Sequence, residues 1–406
     1  MNTRTNQIFK IISTTILLLA LFAGVVNARN ANPAPSAKAN LSNVRDYAAA
    51  LTGDQHYAID GGLLYVGGAA GWSQVATPEE VIVSAVALDP ANPAAIYIGA
   101  ANELAIYRST DGGQEWLRAP LSSKYVGGVT DVAVDSDQRL IYVGTDTAGL
   151  FRLRDVGLSM IVGGHLQLTE PVLEVVAASN GSGMAFVRTN LHLYRAENYG
   201  LTWRTVENLG STPTALALTN GAVYVGTMDR GLLKSQDGVS WTLANNGLGL
   251  LPGTRLAVTA LSVDPQQSHV LYVATSYLYG TTTAHQSPIG VAMSNNSAGS
   301  WSMLQRDEQT AITGLLPVSG LEGAVYAVSD VSRTPVALGK ATQLTTARLA
   351  TVTSQPASLT WLSSSMFAWI VAGLAALALL FALVNDLRIR RLATREGLMA
   401  NAGVTP

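Results

Sequence analysis

The chain has no cysteine in its 406 residues. Disulfides, thiolate metal sites and thiol nucleophiles are therefore excluded, and burial alone must hold the fold together. Charge is scarce as well: Asp, Glu, Lys and Arg make up 13% of the chain and leave a net charge of −2. Nothing in that balance marks a nucleic acid as partner. There is no P-loop, no dinucleotide fingerprint, no H-E-x-x-H and, among five histidines, no two-histidine ligand spacing. Neither a cofactor nor a metal is expected.

Long apolar runs are confined to the two ends. Ile11 to Val26 follows Arg4 and Lys10 and precedes Val26-Asn27-Ala28, the order of a secretory signal cut after Ala28; an uncleaved anchor is the alternative. Met366 to Val384 carries no charge in 19 residues, enough for a helix rising about 1.5 Å per residue to cross a bilayer core of about 30 Å. Trp361 and Trp369 lie near its start, and Arg388, Arg390, Arg391 and Arg395 follow its end. Basic flanks stay in the cytoplasm, so the expectation is a single-pass cell-membrane protein with its C-terminus inside and the bulk of the chain outside. Residues 29–48 read as a flexible lead-in, 341–365 as a Ser/Thr-rich stalk and 385–406 as a short basic tail.

Between the ends one unit recurs. Tyr65-Val66-Gly67, Tyr97-Ile98-Gly99, Tyr142-Val143-Gly144, Phe186-Val187, Tyr224-Val225-Gly226, Tyr272-Val273-Ala274 and Tyr326-Ala327-Val328 are seven copies of one strand, 32 to 54 residues apart. A near-continuous apolar strand precedes most of them, as in Val83 to Asp89 and Val129 to Asp135, and a third follows, as in Leu104 to Arg108. Units of this length with up to four antiparallel strands predict an all-β fold, a β-propeller over residues 49–340. The copies point to seven blades, with six or eight as alternatives and a strand near Tyr57 to Ile59 or Thr334 to Leu338 completing the other's sheet.

The most specific repeat follows the third strand. Ser109-Thr110-Asp111-Gly112-Gly113-Gln114-Glu115-Trp116 returns as a segment with Asn198, Gly200 and Trp203. It returns again with Ser235, Asp237, Gly238 and Trp241, and in degraded form with Asn296 and Trp301. An Asp or Asn that accepts local backbone N–H groups, a glycine at positive φ and a buried indole suit a hairpin corner. These segments resemble the Asp-box, S-x-D-x-G-x-T-W, of the BNR-repeat, sialidase-like propellers, over about 70% of the chain, residues 50–340. The resemblance implies the propeller fold, and it implies that the boxes are structural and face away from the functional mouth.

Aligned inner strands set Ala85, Asp131, Glu174, Ala215, Ala260 and Gly314 in one column, with two acids in adjacent blades. Asp131 and Glu174 are the candidate catalytic pair. Asp146, Asp229 and Arg230 on mouth-facing loops, with Tyr277 and Tyr279 on a long insertion in blade six, complete the expected binding site. Three functions compete for it. A sialidase would gather three arginines on a carboxylate, and the family's early F/Y-R-I-P motif is missing. A tethered binding or assembly module for protein or glycan ligands is the leading expectation; sortilin-type receptors and photosystem II assembly factors are Asp-box propellers of that kind. An inverting glycoside hydrolase, which needs two carboxylates, is the alternative.

Overall fold

The computed structural model describes residues 40–49, 56–68, 71–280, 283–306 and 309–342, with Val384 and Leu387 beyond them. The expected signal segment, the stalk beyond Thr342, the apolar run and the basic tail lie outside the described residues, those two positions apart. Among the described residues no helix is long and apolar enough to cross a membrane.

Residues 44–339 form seven antiparallel sheets, six of four strands and one of three, each made of strands consecutive in the chain. The innermost strands are Val44–Ala49, Val83–Asp89, Val129–Asp135, Glu174–Ala177, Pro213–Leu218, Arg255–Val263 and Ile312–Pro317, and they adjoin one another in that order around a central cavity. The fold is a seven-bladed β-propeller.

The Tyr-Val-Gly repeat is the packing code between blades. Its glycine is the point of closest approach: a Cβ on Gly99, Gly144 or Gly226 would meet Cγ1 of Val129, Val172 or Val258 in the next blade at 2.2, 2.4 and 2.5 Å. Its tyrosine is fully buried in three blades, Tyr142, Tyr224 and Tyr272. A buried phenol needs a partner, and it finds one in a following blade. Tyr97 donates to Asp155 at 2.8 Å, Tyr142 to the Tyr199 carbonyl at 3.1 Å and Tyr224 to the Ser297 carbonyl at 3.3 Å.

The four box-like segments turn the chain from the third strand to the outermost one. In blade two, Ser109 Oγ accepts the Gly113 N–H at 2.8 Å, and Asp111 Oδ1 accepts those of Gln114 and Glu115 at 2.9 and 3.0 Å. Ser235 with Asp237 and Ser294 with Asn296 repeat the pattern. Trp116 and Trp301 donate their indole N–H back to the Ala76 and Ala244 carbonyls. The segment at Asn198 differs. Ala196 stands where the others have serine, and three successive positive φ angles, 48°, 57° and 74° at Asn198, Tyr199 and Gly200, make the turn.

Two boundaries depart from expectation. Tyr65-Val66-Gly67 lies in the third strand of blade one, Leu63–Gly68, and the second strand is His56–Asp60. A two-residue turn at Gly61 and Gly62, with φ of 60° and 83°, joins them; glycine at both positions makes so tight a hairpin cheap. The inner strand of blade one consequently starts at Val44, inside the segment read as lead-in.

Among the described residues neither candidate strand completes the other's sheet: His56–Asp60 stays in blade one and Val336–Gly339 in blade seven. Blade seven has Ile312–Pro317, Ala324–Ser329 and Val336–Gly339, with no fourth strand among the described residues. The ring closes by contact instead. The Val44 N–H donates to the Arg333 carbonyl at 3.1 Å, Thr334 Oγ1 to the Ser42 carbonyl at 3.1 Å and the Tyr47 hydroxyl to the Pro317 carbonyl at 2.9 Å. Leu41, Val44 and Ala58 pack on Leu316 and Val328 beneath them.

Candidate functional site

A cavity of about 750 Å³ occupies the axis of the ring where the inner strands begin. A bulge brings its lining there. In six blades the pairing of first and second strands slips by one residue at the same place, at Arg45, Ser84, Thr130, Thr214, Thr259 and Thr313. An extra residue re-aims the strand, so in five of these blades the bulged residue and the column residue after it both line the cavity, and in blade two Ser84 alone does. Blade four has no slip, and Glu174 there pairs squarely with Arg188.

The column carries three acids. Asp131 and Glu174 both line the cavity, as the alignment required, and Asp46 of blade one joins them. Each accepts backbone donors from the blade that follows. Asp46 takes the Tyr47 and Val86 N–H groups at 2.7 and 2.8 Å; Asp131 takes those of Val132 and Val175 at 2.8 and 2.6 Å. The Leu216 N–H reaches Glu174 in the same way. Bulged hydroxyls supply the complementary stitch, Ser84 donating to the Val129 carbonyl at 2.6 Å and Thr214 to the Val258 carbonyl at 2.7 Å.

Although their side chains are partly open to the cavity, the three carboxyls sit deep in the ring, where charge is poorly solvated. Burial pushes Asp46 up to about 6, against the pull of the Val86 N–H. Burial, and then the negative charge of Asp46, holds Asp131 well above the usual carboxylate range. Burial also raises Glu174, but Arg188, with Nε 2.9 Å from Oε2, favours its ionised form. The site therefore contains two raised carboxyls with different surroundings, Asp131 beside the charge of Asp46 and Glu174 beside the opposing charge of Arg188.

Asp146 lines the same cavity and accepts the Gly128 N–H at 2.8 Å. Asp229, Arg230, Tyr277 and Tyr279 do not line it. Arg230 is turned to the Leu209 carbonyl at 2.6 Å, and Asp229 lies 3.4 Å from Arg255. The blade-six insertion, expected as a mobile aromatic loop, is instead paired strand, Leu271–Tyr279 against His285–Ser294. Tyr277 donates to the Gly249 carbonyl at 2.7 Å, while Tyr279 stacks on His285 with ring centres 5.5 Å apart.

Sequence reasoning missed Asp46 together with Arg45, Arg188 and Arg333, all in the lining. The signal was present: Val44-Arg45-Asp46 aligns with Val129-Thr130-Asp131 once His56–Asp60 is taken as the second strand of blade one. Among the described residues no group of three or more His, Asp or Glu side chains could hold a metal ion.

Sheets, cavity and column define a seven-bladed β-propeller with a polar axial site open at one face. Its likenesses include xyloglucanases and a peptide-bound structure of another kind. Xyloglucanase Xgh74A of Acetivibrio thermocellus is 29% identical over 190 residues, which is 42% of this chain and 20% of that enzyme. The chain thus spans about a fifth of the length of the curated relatives it matches. The GH74 xyloglucanase of Xanthomonas campestris superposes with a TM-score of 0.55 at 19% identity, over 73% of this chain and 52% of that one. The GH74 enzyme of Niastella koreensis gives 0.55 at 18%, over 75% and 53%. A structure described as YCF48 bound to D1 peptide gives 0.51 at 12%, over 76% of this chain and 96% of that one. At such identities the superpositions show the fold alone. No protein-family model matches the chain.

Proposed function

We propose that this propeller is directed at a polysaccharide and cleaves it as an inverting glycoside hydrolase, with Asp131 as general acid and Glu174 as general base. The carrying observation is that Asp131 and Glu174 line one cavity, one blade apart, and that the Arg188 guanidinium pairs with Glu174 and not with Asp131. Such a division between two carboxyls is what inversion requires. Glu174 would take a proton from water as the oxygen attacks the anomeric carbon, and Asp131 would give its proton to the departing glycosidic oxygen. Inverting pairs stand about 6.5–9.5 Å apart, leaving room for that water. The xyloglucanase relatives support a glucan backbone as substrate class.

The test is release of reducing ends from xyloglucan and cello-oligosaccharides, with the anomer of the first product followed by NMR. Asp131→Asn and Glu174→Gln should each cost about 10²–10⁴-fold, the usual worth of a general acid or base. No turnover on any neutral or acidic polysaccharide by correctly folded protein would refute the reading.

A second reading, a binding or assembly module, is favoured by one specific observation: both oxygens of Asp46 and of Asp131 already hold backbone N–H groups. In that case the acids are buttresses, and ligands bind without turnover. In either case we place the propeller outside a cell membrane, tethered by Met366 to Val384, with the C-terminus inside. Protease protection of the C-terminal tail in intact cells tests that placement.

A further inference from the structure

Two guanidiniums in the axial cavity, Arg45 and Arg333, stand apart from its acids. Every acid in the lining is occupied: Asp46 and Asp131 by backbone N–H groups, Glu174 by Arg188 and Asp146 by the Gly128 N–H. Arg45 and Arg333 line the same cavity and are exposed. Among the described residues neither forms an ion pair, and neither donates a side-chain hydrogen bond.

Their placement is built rather than incidental. Arg45 stands at the bulge of blade one, where five other blades carry serine or threonine. A hydroxyl there is short enough to turn back on the next blade, as Ser84 and Thr214 do; an arginine reaches past it. Arg333 belongs to the loop of blade seven whose carbonyl accepts the Val44 N–H at 3.1 Å, so the ring closure itself sets the two arginines side by side in the backbone. Blades six and seven add Thr259, Ala260, Thr313 and Gly314 to the same lining, with Leu315 and Leu316. Thr130 and Thr259 each have a buried Oγ1 with no protein partner.

We propose that Arg45 and Arg333 form an anion subsite at the seam of blades one and seven, and that the preferred ligand is a glycan bearing carboxylates, a uronic-acid oligosaccharide, rather than a neutral glucan. Guanidinium forks match carboxylate geometry and hold it bidentately. This inference rests on the glycan-directed reading above and narrows its substrate class.

Calorimetric titration of the full chain in detergent with tetragalacturonate and with cellotetraose tests it. Tetragalacturonate is expected to bind at least about 10-fold tighter at about 50 mM salt, with the advantage shrinking at about 500 mM as the charges are screened. Arg45→Gln and Arg333→Gln should each reduce that preference by about 5- to 10-fold, and the double variant should abolish it. The thermal melt of each variant controls for folding. Equal affinity for the two sugars, or an unaltered preference in the double variant, overturns the anion subsite and leaves the glycan-directed reading standing. Binding of an acidic peptide with no binding of either sugar overturns both.

Discussion

Gly144 shows how tightly single residues are specified. A methyl group there would lie 2.4 Å from Val172 Cγ1 of the next blade, and cores that must admit an extra carbon pay about 1–3 kcal/mol in shifted neighbours. Gly144→Ala should therefore destabilise by that amount in a urea melt. Gly221 is the control, because a Cβ would meet nothing within 4 Å and its φ is not positive; Gly221→Ala should be neutral or should stabilise by up to about 1 kcal/mol through the unfolded chain. Tyr142→Phe removes one of two donors to the Tyr199 carbonyl, which Arg152 Nε still holds at 2.7 Å, so the cost should not exceed about 1 kcal/mol. The repeat was legible at these positions because burial and close approach restrict the residue type. Arg45 and Arg333 were not, because an exposed arginine carries no periodic signature and only the bulge and the ring closure bring them together.

At the scale of the element, the corners divide by chemistry. Asp111 accepts two backbone N–H groups and the Ser109 hydroxyl at 2.7 Å. Asp111→Ala should loosen the hairpin, costing about 1 kcal/mol, with faster amide exchange at Gln114 and Glu115. Asn198 has no such serine and lies at φ 48°. Asn198→Gly should therefore be tolerated or stabilising, and a loss as large as at Asp111 would show that the Asn198 amide bears load the geometry does not assign to it. All four corners could be read from sequence because a turn is local chemistry. Blade one was misread because its second and third strands join through Gly61-Gly62 with no box to follow; that error hid Asp46. The hairpin of blade six was expected as a loop, since its Thr, Ser and Gly content gives no period-2 alternation for a strand assignment.

For the whole molecule, the two sets of carboxyls oppose each other in pH. Burial raises Asp46 to about 6 and raises Asp131 and Glu174 as well. A carboxyl whose pKa is higher folded than unfolded binds its proton more tightly in the native state, so its contribution is fully present below the unfolded value near 4. That contribution is lost as pH rises through the folded value. At the periphery the sign reverses. Asp111 is lowered, its N–H and hydroxyl donors outweighing desolvation, and Asp155 is lowered because Arg108 and Tyr97 outweigh the cost of its burial. Such groups stabilise above pH 4 and lose that contribution as pH falls. The melting temperature should consequently peak on the acid side of neutral, near pH 5, declining below about 4 as the periphery protonates and above about 6 as Asp46 ionises. Thermal melts from about pH 3 to 9 decide it: a melting temperature that climbs steadily to pH 8 would mean that the axial carboxyls are hydrated and ordinary. The proton that Asp131 must hold to act as an acid would then be absent at neutral pH, and the hydrolytic reading would lose its physical basis.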